Sequence, residues 1–373
     1  MSIELRSPAI EYAVDYAAID PVKLEFQRLG GQTRLPDNLG LSEVPGCRGE
    51  SSYIVETPFG YIASLTETLG TRSLVADEIY ATQGVSHYDS IGQSAAATIF
   101  NDLATSGVQP VASFMYLSAG SNEVFADMRK MKDLGIGWMN ACNRVQAVWG
   151  GGETPMLRDV VFPSAFEIGG SAWGMLIKPE EPLDSNNVRI GDRIIGVASS
   201  GVHDNGLTLA RDIRSQRLQE LGYQTPLADG KTFGEALMEP TVLYGPLVRG
   251  LRSEGVEIHS ALNITGHGLA KIARATAPLQ YTVLVLPSPQ PVFGFIQRHS
   301  GLPDEKMYSK FNMGVGFVLI VAESSALRSI GVGMKLGYKL WDAGFVEESP
   351  TKKKRVVLPN GVNFTEKDVA VRT

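Results

Sequence analysis

The chain has 373 residues, 43% hydrophobic and 20% charged, with a formal net charge of −6; this is material for two domains with their own cores, and the acidic balance argues against a surface that coats nucleic acid. Cys47 and Cys142 form neither a CxxC pair nor a disulfide framework, and no apolar run approaches 18 residues. The expectation is a cytoplasmic protein with no membrane and no nucleic-acid partner.

The first forty residues contain a polar, turn-rich stretch, Gly30 to Gly40, with little periodicity. Residues 52–55 and 61–64 flank Thr57-Pro-Phe-Gly60 and read as a hairpin. An alanine-rich helix is expected from Ile91 to Leu103, a buried strand over 111–116 and an amphipathic helix from Glu123 to Leu134. Ala147-Val-Trp149 leads into Gly150-Gly-Gly-Glu-Thr154, read as a glycine loop, and residues 172–177 read as a strand. Lys178-Pro-Glu-Glu-Pro-Leu183 looks like a linker, which divides the chain into 1–178 and 179–373. The second half repeats the alternation. Strands are expected at 193–198, 281–286, 315–322 and 338–346, and helices at 207–221, 233–253 and 324–336. The fold class is therefore α/β, with α+β layers in both halves. The basic run Lys352-Lys-Lys-Arg355 reads as a solvated strand edge.

The familiar nucleotide and zinc signatures G-x-x-x-x-G-K-[ST], G-x-G-x-x-G between strand and helix, and H-E-x-x-H are all missing. What remains is a set of carboxylates and amides beside glycines. Asn101-Asp102 closes an otherwise apolar helix, which suits either a cavity that holds a hard cation or a polar last turn bonded to its own backbone. Glu67 and Glu153 each follow a strand, where ligands collect in layered folds. Three carboxylates at comparable places point to a magnesium-nucleotide site. In Ser199-Ser-Gly-Val-His-Asp-Asn-Gly206, Gly201 and Gly206 permit close backbone approach to a ligand at the start of a helix. The same loop also suits a plain turn, with Asp204 or Asn205 capping the helix.

That loop, followed by Leu207-Thr-Leu-Ala-Arg211, resembles the S-S-G-x-H-x-N-G-x-[ST]-L-x-R element of the aminoimidazole ribonucleotide (AIR) synthase family, the phosphoribosylformylglycinamidine cyclo-ligases. Further elements follow in that family's order: Asn101-Asp102, Gly151-Gly-Glu-Thr154, Glu239-Pro-Thr-x-x-Tyr244, Asn263-Ile-Thr-Gly-His-Gly268 and Phe311-Asn-Met-Gly-Val-Gly316. Tyr12 and Ile19-Asp20 fall at its Y…I-D spacing. The similarity spans nearly the whole chain. It departs from the pattern at Glu67 and Arg72 (for Asp and Lys), at Leu41 to Gly49, at Pro155-Met-Leu-Arg158, and at His267, which stands for a glycine.

The resemblance implies a two-domain fold whose amino-terminal sheets pair across a homodimer. It also implies an ATP-dependent ring closure, from formylglycinamidine ribonucleotide to AIR with ADP and phosphate as products. Under it, Glu67, Asp102 and Glu153 would hold Mg2+ and ATP, Asn101 would support them, and Thr71 and Arg72 would contact phosphate. His203 would move a proton or orient the formyl end, and His203 and Asp102 would be the catalytic residues, the first at the substrate and the second at magnesium-ATP. Asn205 and the amides of Gly201 and Gly206 would hold the phosphorylated small-molecule substrate. Two alternatives stand beside this: a paralogue that phosphorylates another small acceptor with ATP, and a nucleotide-binding relative without turnover.

Overall fold

The computed structural model describes residues 16–369. Tyr12 lies outside them. In the first half, helix α1 (Tyr16–Gly30) precedes strands β1 (Ser42–Glu43), β2 (Tyr53–Thr57) and β3 (Gly60–Thr68), then helices α2 (Arg72–Gln83) and α3 (Tyr88–Thr105). Strand β4 (Gln109–Ala119), helices α4 (Asn122–Ala126) and α5 (Met128–Val145), and strands β5 (Val148–Glu153) and β6 (Phe166–Ile177) complete it. The strands form one sheet in the order β1-β2-β3-β6-β4-β5, antiparallel except for β4 with β5. Helices α3 and α5 meet backbone to backbone because Gly92 and Gly137 face each other's helix. A Cβ on Gly92 would lie 2.0 Å from Leu134 O, and one on Gly137 would lie 1.9 Å from Asp89 O. That close crossing fixes α3, whose last turns carry Asn101 and Asp102.

The second half runs β7 (Arg193–Ala198), α6 (Leu207–Arg217), α7 (Phe233–Leu237), α8 (Gly245–Ser253), β8 (Ile258–Asn263) and β9 (Gln280–Val283). It continues with α9 (Pro291–Ser300), α10 (Asp304–Lys310), β10 (Val315–Val321), α11 (Ala326–Lys335), β11 (Leu340–Glu347), β12 (Arg355–Val357) and β13 (Asn363–Thr365). Its sheet has the order β13-β12-β9-β11-β7-β10-β8. Fully buried β10, all apolar apart from Gly316, is its spine. No helix among the described residues is long and apolar enough to cross a membrane.

A helix occupies 16–30, a stretch for which the sequence suggested no element. Three expectations need correction. The helix expected from Glu123 to Leu134 is two, broken at Asp127, whose side chain caps α5 through Lys130 N. The glycines at 150–152 belong to edge strand β5, where a Cβ on Gly152 would lie 1.8 Å from Met115 O of the neighbouring strand. The helix expected over 233–253 breaks into α7 and α8, leaving 238–244 outside both.

The break has a clear physical cause. Pro240 cannot donate in a helix, and α3 offers the segment other partners. Ser90 donates to Met238 O, Gln93 to Thr241 O at 3.2 Å, and Ser94 accepts from Thr241 N at 3.1 Å. Asn101 donates to Val242 O at 2.7 Å and accepts from Tyr244 N at 2.8 Å. These α3 residues recur at helical spacing, so they form one polar stripe on a buried helix. The stripe joins the two halves, and one apolar cluster runs from Phe100 of α3 to Leu207, Phe233 and Phe295 of the second half.

Candidate active site between the two halves

A cavity of about 940 Å³ opens between the halves, bounded by α1, residues 47–53, the end of β3, Asp102 and residues 265–274. A pocket of about 130 Å³ adjoins it through Glu67, Asp102 and Thr265, and reaches His203, Asp204 and Asn205. The two carboxylates thus stand at the junction. Asp102 accepts from the Asn263 amide at 2.8 Å. Glu67 keeps solvent access at the cavity mouth, but the protein around its carboxyl, and then the charge of Asp102, pushes its pKa up. A second negative charge so placed favours a bound cation, and magnesium takes one or two carboxylates plus phosphate oxygens. The residues present fit that ion.

Glu153 does not join them. It ends the exposed edge strand β5, where its own carboxylate accepts from Thr154 N, and it lines neither space. Among the described residues no three His, Cys, Asp or Glu side chains stand close enough to form a metal site. The expected trio is therefore a pair. Asn101 and Asp102 both line the small pocket, with the Asn101 amide oxygen and nitrogen held by the 242–244 backbone and Asp102 held by Asn263.

Arg72 also departs from expectation. Its side chain is fully buried, 2.6 Å from Asp204, and donates to Thr241 Oγ1, His203 O and Glu239 O. It ties α2 to the second half and presents no surface to a phosphate. Burial pushes the Asp204 carboxyl up, while Arg72 and the Thr241 hydroxyl pull it back. Thr71 beside it bonds Thr208 at 3.1 Å, joining the starts of α2 and α6.

In the 199–206 loop, Asn205 lines the small pocket, whereas Gly201 is buried and gives its carbonyl to Asn312. Gly206 has φ +83°, and a Cβ there would lie 2.0 Å from the Phe311 ring. Packing explains that glycine without a ligand. Neither Asp204 nor Asn205 caps α6.

His203 is buried too, at 4% exposure, and its Nε2 accepts from Ser200 N at 3.2 Å. Burial, then the Arg72 charge, lowers its pKa to about 3. A group so poised is a weak base at neutral pH, far from the matched pKa of a proton-transfer residue. The geometry makes it a fixed neutral wall of the small pocket. The linkage sign follows: between pH 6.5 and about 3 the unfolded imidazole binds a proton that the folded one refuses. Stability from this group is complete above pH 6.5 and is lost as pH falls toward 3. His203→Gln should therefore flatten the acid limb, which in the native protein costs up to about 1.4 kcal/mol per pH unit. Urea midpoints at pH 7 and pH 5 check this; equal pH sensitivity in both proteins would refute it.

Sequence reasoning missed Lys271, buried behind Asn263 and Thr265 at the cavity wall. Its signal was a lone lysine in the apolar run Leu269-Ala-Lys-Ile-Ala273.

Comparison with known proteins places this architecture. Residues 49–174 match the sequence model of the AIR synthase related protein, N-terminal domain, and residues 189–356 match that of its C-terminal domain. The chain belongs to the AIR synthase related family. Phosphoribosylformylglycinamidine cyclo-ligase of Methanosarcina mazei is 33% identical over 289 residues, covering 76% of this chain and 80% of that one. The enzyme of that name from Coxiella burnetii is 28% identical over 94% of both chains. Among solved structures, thiamine-monophosphate kinase from Stenotrophomonas maltophilia aligns with a TM-score of 0.58 at 17% identity, over 94% of this chain and 97% of that one. Hydrogenase maturation protein HypE in complex with ATP gives 0.54 at 17%, over 82% and 84%. At such identities the structures share the AIR synthase fold. Some departures of this family member fall on the site itself, since Glu67, His267 and residues 47–49 line the cavity, whereas Arg72 and residues 155–158 do not.

Proposed function

We propose that this AIR synthase family member is an ATP-dependent cyclo-ligase that closes formylglycinamidine ribonucleotide to aminoimidazole ribonucleotide, releasing ADP and phosphate. The observation that carries the reading is the Glu67–Asp102 pair at the junction of the two cavities, in a chain about one third identical to enzymes of that name. An amide oxygen is a poor leaving group. The formyl oxygen attacks the γ-phosphorus of ATP, ADP departs, and the carbon now bears an imidate-like phosphate. The amidine nitrogen then attacks that carbon, phosphate leaves with the oxygen, and the nitrogen gives up a proton. Magnesium, when bound, neutralises charge on the phosphoryl oxygens.

The chain's own residues supply position and field. Asp102, held by Asn263, and Glu67 would take the cation, while Asn205 and the neutral His203 shape the small pocket for the reacting end. The cavity walls, drawn from both halves, would surround the phosphorylated intermediate. The reading assigns 1–178 to ATP and dimerisation and 179–373 to substrate, in the cytoplasm. The exposed apolar Ile62 and Phe114, on the two strands that flank β6 in the first sheet, support pairing of that sheet across a homodimer. A stable interface would bury roughly 1,600 Å². Sedimentation should give twice the chain mass at micromolar concentration; an active monomer would exclude the dimer.

The test of function is direct. Purified protein with ATP, magnesium and formylglycinamidine ribonucleotide should yield AIR and ADP in equal amounts, read by mass spectrometry. ADP formed only with another acceptor, such as a phosphorylated alcohol, would instead assign the chain to a paralogous kinase reaction.

A further inference from the structure

Three buried lysine and arginine side chains stand among the described residues: Arg72, Lys130 and Lys271. Arg72 is paired with Asp204 and Lys130 with Asp77. Lys271, 7% exposed, makes no ion pair among the described residues. Its ammonium donates to Asn263 O at 3.0 Å and to the Thr265 hydroxyl. An ammonium has three N–H groups, so one donor is left without an acceptor, and the carboxylates that act on the charge, Asp102 first and then Glu67 and Glu50, do so without an ion-pair contact. Lysines are almost never this buried unless paired, because an uncompensated buried charge is costly. The protein obeys that rule at Arg72 and Lys130, and the exception lies against a cavity.

The position of the exception matters. Lys271 lies on the wall that the 940 Å³ cavity shares with a third space of about 680 Å³. This third space runs away from Glu67 and Asp102 toward residues 181–186; its lining holds Ser51, Ser52, Ser185 and Thr276, the cations Arg48, Lys271 and Arg274, and the carboxylates of residues 43, 50, 56, 181 and 184. Burial lowers the pKa of Lys271 to about 8, with Asp102 pulling it back up, so the charge persists at neutral pH. An anion that bridges the two spaces would meet a desolvated cation, where a charge-assisted hydrogen bond is strongest.

We propose that Lys271 is a phosphate-binding residue, its third N–H meeting a phosphoryl oxygen of a ligand that lies across the two cavities. This rests on the ligand chemistry of the proposed function, in which both ATP and the sugar phosphate carry such oxygens. The competing role is a structural tie, with the lysine merely bracing Asn263 and Thr265 behind Asp102. The two roles differ in what the lysine's charge does for the empty protein. A tie stabilises the fold, whereas an unpaired charge waiting for a ligand does not, and replacing it by an apolar group of similar volume is neutral or stabilising.

Titration calorimetry against ADP and, separately, ribose 5-phosphate, each with magnesium, separates the roles and the two sources of phosphate. Lys271→Met and Lys271→Gln should weaken at least one of these ligands tenfold or more, and Lys271→Arg should weaken it less. The ligand-free melting temperature of Lys271→Met should not fall. Wild-type affinity for both ligands in the Met and Gln variants overturns the proposal. A drop in melting temperature with unchanged affinities, or failure of both neutral variants to fold, also overturns it by making Lys271 a tie. A wild-type chain that binds neither ligand overturns the functional reading along with it, so the two failures are distinguishable.

Discussion

Asp102→Asn should lower turnover by ~10²-fold or more while leaving the fold intact, since a charge-developing site loses the anchor of its cation. The side chain projects into the junction of two cavities and gives only one oxygen to the protein, through the Asn263 amide. An asparagine can still accept that bond, so stability should change little. The loss should appear in magnesium-dependent ATP affinity as well as in kcat. Raising magnesium should recover part of it, because the neighbouring Glu67 remains. Unchanged affinity for magnesium-ATP with normal turnover would remove Asp102 from the site.

Arg72→Met should cost about 3–5 kcal/mol, the usual consequence of leaving a buried carboxylate without its cation. Asp204 would lose a 2.6 Å ion pair, and the carbonyls of His203 and Glu239 would lose their donor. Because the arginine comes from the first half and its partners from the second, the loss falls on the junction of the halves. Activity should drop too, since His203 to Asn205 line the small pocket. The double variant Arg72→Met with Asp204→Asn should cost clearly less than the sum of the single changes. Urea unfolding of all three proteins measures this. A single-variant loss under 1 kcal/mol would show that the pair contributes little.

Much of this was readable beforehand, for identifiable reasons. Alternation and turn residues locate most strands of both sheets, because a buried strand such as β10 needs little beyond its own apolar run. Asp102 stood out as a carboxylate on an apolar helix. Asn101, paired with it in sequence, lines the same small pocket, but the sequence did not show that its amide is bonded to the 242–244 backbone. Arg72 was unreadable because its partner lies 132 positions away; nothing local distinguishes a buried arginine from a phosphate ligand. Glu153 matched its motif, but a motif does not say which face of an edge strand meets the cavity. Helix 233–253 failed because its amides bond to side chains of α3, a competition that periodicity within the segment does not register.

The polar stripe on α3 also bears on how this chain can be cut. A fragment ending in the 178–183 linker would present Ser90, Ser94 and Asn101 to water, amid apolar surface meant for the other piece. Its complement would hold an irregular 238–244 segment with no template to fix its course. Neither fragment should persist alone. Mixed, the two should recognise each other as a matched key and ward, so that a chain nicked by protease in the linker stays one particle and keeps its site. Gene fusions or exchanges that swap one half for a distant relative's must therefore carry a compatible α3 with them, whatever the sheets allow.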